Sequence, residues 1–311
     1  MWTNERCAFR INKDDNSNTV GRSTSRYAKY PFEPLFRSLG LMKPSFDIGT
    51  VDLVTNRNSL RKLFRFVSGD VYEPFRIDVQ TQGTVTFLCR WETEVETIVF
   101  GSRASGYGHN FEKITTKFEE DLRDSTGHHR AIRYSLGGIQ CVVVSEADAF
   151  LEEINEPSND SLPDITEDMA SNSLNVIRRG RVVQQAAIVE LKSKRKGTKE
   201  LGTVIPQLWF SRTPNCIVGY HSQGNFQEPK PVPVKEEIES WELNQADHLR
   251  MLAKLINRLR ELAQASENRG CIVVCELEKP YSVHMNIYDS REKKKVLPDN
   301  IVRQNHWTKN M

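Results

Sequence analysis

The run Cys141-Val142-Val143-Val144 is apolar at every position. As a strand it presents hydrophobic side chains to both faces, so it belongs at the centre of a sheet covered on each side. Other segments supply the rest of such a sheet and its cover. Phe75, Ile77 and Val79, a Gln82-Gly83 turn, then Val85, Phe87, Cys89 and Trp91 alternate with period two and read as a hairpin. Ile132–Leu136 and Ile139–Ser145 flank Gly137-Gly138 as a second hairpin, and Cys271–Leu277 with Tyr281–Tyr288 as a closing strand pair. Leu60, Leu63, Phe64 and Val67 recur at helical spacing, leaving Arg57, Arg61 and Arg65 on the opposite side. Tyr107, Phe111, Ile114, Phe118 and Leu122 predict a helix over 108–122, and the leucine stripe from Leu249 to Leu262 one over 244–265. Val182–Leu191 and Cys216–Tyr220 read as strands and Leu201–Phe210 as a helix. The fold class expected is α/β, one large domain with central mixed β-sheets flanked by helices.

A chain of 311 residues admits that domain over 46–290, preceded by a loosely structured arm (1–45) and followed by a basic tail (291–311). Between Glu146 and Ile177 there are nine acidic residues and no Lys or Arg, so 149–175 is expected to be a solvated acidic loop inserted in the domain. The formal net charge is only +2, and nucleic-acid binding must therefore come from local basic faces. No apolar run approaches the ~20 residues of a membrane span, and the first ten residues lack a signal-peptide core, which places the expected protein inside the cell with no membrane partner. The six cysteines show no C-x-x-C spacing and are expected to be reduced core thiols. His109, His128 and His129 lack metal-ligand spacing and read as surface or supporting groups.

Two short segments carry chemistry. In Glu146-Ala147-Asp148 and Glu190-Leu191-Lys192 the ionisable residues lie two apart, so on a strand each pair faces one way. Carboxylates so placed suit hard divalent ions, which activate water and neutralise charge in phosphodiester hydrolysis. A strand-borne carboxylate beside a same-face lysine is the arrangement of PD-(D/E)XK nucleases. Alone it is weak, because Glu119-Glu120-Asp121 and Glu292-Lys293-Lys294 repeat the patterns without an apolar strand before them.

Order adds weight. Arg57 opening a helix, Gly108-His109-Asn110-Phe111-Glu112, Gly137-Gly138 through Asp148, Val189-Glu190-Leu191-Lys192, and Gln207 ahead of Ile217-Val218-Gly219-Tyr220 follow one another. This set resembles the DXO-type decapping exoribonuclease family over about Asp47 to Ala265. Asn58 stands where better-known members tend to have glycine, and Leu208-Trp209-Phe210 follows Gln207 in place of Ser-Phe. The chain is also similar to fungal sequences that carry a prenyl-synthetase label, but it has no D-D-x-x-D pair.

The resemblance implies that Glu112, Asp148 and Glu190, with the Leu191 carbonyl, ligate a magnesium or manganese ion, and that Glu146 holds a second ion or its water. Lys192 would orient the attacking water or stabilise charge on the scissile phosphate, and Gln207 would hydrogen-bond the scissile group. Arg57 would contact a phosphate near the 5′ end, whereas Arg61 and Arg65 read as a solvated face. The implied substrate is a capped or triphosphorylated RNA 5′ end, with removal of incomplete or non-canonical caps, NAD caps or triphosphates among them, and 5′-to-3′ exonuclease activity in some members. Two alternatives stay open: a partner protein that binds and stabilises a 5′-to-3′ exoribonuclease, and a DNA-directed nuclease of the same architecture. The basic run Lys192–Lys199 resembles a nuclear import patch, which makes the nucleus the expected location and the cytoplasm its alternative.

Overall fold

The computed structural model describes residues 1–3, 8–14, 30–91, 106–125, 127–155, 174, 176–177, 179–198, 201–278 and 282–304. In chain order the strands and helices begin with β1 (Phe9–Arg10), α1 (Glu33–Met42), β2 (Leu53–Asn56), α2 (Arg57–Ser68), β3 (Phe75–Gln82), β4 (Val85–Trp91) and α3 (Gly108–Thr115). They continue with β5 (His129–Leu136), β6 (Ile139–Glu146), β7 (Ala149–Phe150), β8 (Ile188–Arg195), α4 (Ile205–Ser211), β9 (Asn215–Ser222), β10 (Asn225–Phe226) and β11 (Lys230–Val232). The chain ends with α5 (Lys235–Asn244), α6 (Ala246–Ala265), β12 (Gly270–Glu278), β13 (Ser282–Asp289) and α7 (Asp299–Gln304).

Two mixed sheets result. The larger runs β13-β12-β3-β4-β2-β6-β5, with β2 parallel to both β4 and β6. The smaller runs β1-β10-β9-β8-β7, with β8 parallel to β9 and β11 also on β9. The Cys141–Val143 run lies deep inside the larger sheet, where Cys141 and Val143 join α2 and α6 on one face and Val142 joins α1 and α7 on the other. At the β5–β6 turn Gly137 and Gly138 both take positive φ (56° and 88°), which a two-residue hairpin of native twist requires.

Several boundaries differ from the sequence expectation. The helix over 108–122 stops at Thr115, and Ile114 and Phe118 are exposed: of that stripe Phe111 and Tyr107 pack against the small sheet. The strand expected at 182–191 begins at Ile188, after a 3-10 turn over Gln185–Ala187, and runs on through the charged Lys192–Arg195. The helix expected from Leu201 starts at Ile205, with Pro206 in its first turn. The helix expected over 244–265 is α6, and α5, which the sequence reading did not single out, precedes it.

Both ends contribute to the core. Phe32 and Phe36 of the amino-terminal stretch and Val296, Leu297 and Ile301 near the carboxyl end are buried together. Cys89, Cys141, Cys216, Cys271 and Cys275 are free and buried. Cys7, most of the polar stretch Asn12–Thr24, residues 156–173 of the acidic loop, Lys199, Tyr281 and residues 305–311 lie outside the described residues. Among the described residues no helix is long and apolar enough to cross a membrane.

Candidate functional site

The two sheets meet where the chain leaves β6 for β7, and that crossing is the Glu146-Ala147-Asp148 segment. β7 covers only Ile188 and Val189 of β8, so the edge of β8 beyond them is free for side chains. Asp148 takes that place: its Oδ2 accepts the Leu191 backbone N–H at 2.8 Å. A strand residue projects its N–H and C=O to the same side, so the Leu191 carbonyl faces this edge as well.

Glu190 and Lys192 share one face of β8. Glu190 is only 2% exposed, yet it is fully partnered. Its Oε1 accepts from Lys192 Nζ at 2.5 Å and from Gln207 Nε2, and its Oε2 accepts from Arg57 Nη1 at 3.1 Å. Each donor is delivered by a different local device. Asn56 caps α2 by accepting the Ser59 N–H at 2.9 Å, which starts the helix at Arg57, and Leu60, Leu63 and Phe64 bury its other face. Gln207 comes from the first turns of α4, anchored by the buried Leu208, Trp209 and Phe210. Ser211 accepts from Arg57 at 3.4 Å.

Glu112 approaches from the opposite face of the small sheet. Phe111 packs against Leu191, Val189 and Ile217, and a Cβ on Gly219 would meet the Phe111 ring at 2.4 Å, so glycine is what lets α3 lie so close. Asp14 holds the start of α3, accepting the Asn110 N–H at 2.9 Å and the His109 N–H at 3.3 Å. Asp14, Ser211 and Gly219 are supporting residues that sequence reasoning did not single out. Asp14 sits 96 positions from Asn110, and no local pattern links them.

The charges are unevenly balanced. Burial opposes ionisation of Glu190, but Lys192 and Arg57 overcome it and hold its carboxyl below the usual glutamate value. Asp148 goes the other way: burial first, then the charge of Glu190, keeps its carboxyl well above the aspartate range, with Lys192 4.0 Å away pulling against them. Burial raises Glu112 too, with Lys192 as the main opposing influence. Burial opposes the charge of Lys192, which Glu190 and Asp148 nevertheless raise above its ordinary value.

An excess of buried carboxyl oxygen beside a strand carbonyl is the donor chemistry a hard divalent cation takes. By kind and by charge, Asp148, Glu190, Glu112 and the Leu191 carbonyl fit such an ion. Among the described residues, however, no group of three or more His, Cys, Asp or Glu side chains is arranged so that it could hold a metal, and the oxygens of Glu190 are taken by Lys192, Gln207 and Arg57. Glu146 is exposed at the end of β6, and His109, His128 and His129 are exposed as well.

Solved structures share this architecture. Candida albicans Rai1 in complex with pU5 and Mn²⁺ superposes with a TM-score of 0.56 at 13% identity, over 97% of this chain and 89% of that one. Scheffersomyces stipitis Rai1, in complex with (3′-NADP)⁺ and a calcium ion, gives 0.53 at 13%, over 99% and 91%. K. lactis Dxo1 in complex with manganese gives 0.50 at 11%, over 83% and 71%. At such identities the likeness is one of fold. No curated protein matches the sequence. A family profile described as a domain of unknown function, DUF8563, matches residues 1–307. The chain therefore belongs to the DUF8563 family, built on the fold seen in Rai1 and Dxo1.

Proposed function

We propose that this protein is a magnesium- or manganese-dependent hydrolase of RNA 5′ ends, cleaving a phosphoester or pyrophosphate bond to remove triphosphates or incomplete and non-canonical caps. The observation that carries the reading is the buried Glu190 held by Lys192, Gln207 and Arg57 beside Asp148 at the open edge of β8. The shared fold supports it, as do the RNA and manganese named for the Candida albicans protein.

In this reading Asp148, Glu190, Glu112 and the Leu191 carbonyl hold the ion, with Glu146 serving a second ion or its water. A bound divalent ion supplies water activation and neutralises charge on phosphate. With Glu190 holding an ion, Lys192 and Gln207 would be the donors available to the attacking water and the scissile phosphate. Arg57, at the start of α2, presents a planar fork suited to a phosphate oxygen pair.

The test is mass-spectrometric identification of products from triphosphate, unmethylated-cap and NAD-capped RNA, with matched DNA as comparator. Metal-dependent release at the 5′ end, lost in Glu190→Gln and Asp148→Asn variants that stay folded, is the expected result. No metal-dependent product from any 5′ end overturns it. If calorimetry then shows no carboxylate-dependent cation binding, the reading to adopt is a non-enzymatic partner of a 5′-to-3′ exoribonuclease.

A further inference from the structure

Helix α2 carries Arg57, Arg61 and Arg65 at intervals of four residues, about 6 Å of rise each. The first is occupied by Glu190 and Ser211. Arg61 is half-buried, and no hydrogen bond or ion pair holds it among the described residues. Burial, then the neighbouring charges of Arg65 and Arg57, pull its pKa down to about 10, with Tyr72 and Glu190 opposing. A partly desolvated cation flanked by like charges and lacking a counter-ion is unfavourable, and an anion docking there relieves it. A solvated charged face does not have this property.

One turn further on, Arg65 lies over the Tyr72 ring, its Cζ 4.2 Å from the centroid, and Tyr72 is 62% exposed. The two residues lie beside Lys62, Val71, Glu73 and Phe75. Glu73 is the one acid among the six. Proteins that hold single strands combine a cationic row for the backbone with an aromatic ring on which a base stacks. Here the row starts at the Glu190 cluster and ends about 12 Å along the helix at an exposed ring.

We propose that Arg61, Arg65 and Tyr72 form a track for single-stranded RNA leading away from Glu190, with the two arginines on successive backbone phosphates and Tyr72 stacked on a base. The assignment rests on reading the Glu190 cluster as the hydrolytic end of the path. It makes binding depend on RNA length, because a dinucleotide seated at Arg57 does not reach Tyr72.

The test is fluorescence anisotropy with 5′-phosphorylated oligouridylates, a dinucleotide and a longer one, in chelator to prevent turnover, repeated across a salt series. The double variant Arg61→Gln/Arg65→Gln is expected to weaken the longer RNA about tenfold or more, flatten its salt slope by about 1–2, and weaken the dinucleotide, whose second phosphate reaches Arg61 but not Arg65, by clearly less. Tyr72→Ala is expected to weaken the longer RNA by about tenfold, and Tyr72→Phe to restore it. Arg258→Gln, an exposed arginine paired with Glu261 on α6, controls for net charge and should change neither. Wild-type affinity and salt slope for the longer RNA in both the double variant and Tyr72→Ala overturn the track. If no 5′ end is hydrolysed but the length-dependent losses appear, the hydrolase reading fails while the track stands.

Discussion

Asp148 Oδ2 accepts the Leu191 N–H at 2.8 Å, so a carboxylate from the crossing between the two sheets is fastened to the free edge of β8. With the β7–β8 pairing and the Arg57–Glu190 bond, it ties the large sheet to the strand that carries Glu190 and Lys192. The electrostatics of the cluster follow from it, because Asp148 is brought close to Glu190 under burial and both compete for Lys192.

Glu190 is the charge that compensates Arg57 and Lys192, which are 14% and 26% exposed. Removing it leaves the partly buried Arg57 without its carboxylate and Lys192 with only Asp148, 4.0 Å away, so Glu190→Ala is expected to lower stability in urea unfolding by about 3–5 kcal/mol. Glu190→Gln keeps the volume and an acceptor oxygen and should cost clearly less.

Asp148 is predicted to behave oppositely. Its folded-state pKa is raised, so its contribution to stability is fully present below the unfolded value near 4 and is lost as pH rises through the folded value. Asp148→Asn, which keeps the acceptor for Leu191, should therefore gain stability over wild type as pH rises from about 4 to 7, while losing divalent-cation binding. Urea midpoints across that range, measured in chelator, check the sign. A gain that shrinks with pH would contradict it.

Gly219 makes room for Phe111, and Phe111 carries Glu112 to the site. Gly219→Ala should cost about 1–3 kcal/mol through overpacking. It should also raise the manganese concentration needed for half-maximal turnover, measured alongside Val218→Ala, a nearby core change with no contact to α3 expected.

Asp14 accepts two N–H groups at the start of α3 from a segment far away in sequence. Asp14→Ala is expected to cost about 1 kcal/mol, as loss of a helix cap does, and Asp14→Asn less. Thermal unfolding of the two variants distinguishes capping from a requirement for charge.

Much of this arrangement was legible in the residues. Period-two alternation located β3 and β4, continuous apolar runs located β6 and β9, and the 60-63-64-67 stripe located α2, because burial on one face or on both leaves a regular pattern in the sequence. Helix α3 was overextended, since Ile114 and Phe118 continue its spacing although both are exposed, and Leu122 belongs to a separate 3-10 turn over Glu120–Leu122. Helix α5 escaped notice because none of its residues is fully buried and only Ile238 and Trp241 pack against the core, too few to leave a stripe. In the site, Glu190, Lys192 and Asp148 stood out by strand spacing, whereas Asp14, Ser211 and Gly219 act through contacts between distant segments that leave no local trace. Arg61 was misjudged as solvated because spacing reveals the face of a helix but not what packs near it.

The most direct measurement is an anomalous difference map from crystals of the protein soaked in manganese. The account predicts a single strong peak at the open edge of β8, within coordinating distance of Asp148, Glu190, Glu112 and the Leu191 carbonyl, and absent from Asp148→Asn crystals. A map with no peak there, or with the ion elsewhere and Glu190 still bound to Lys192 and Arg57, would contradict it.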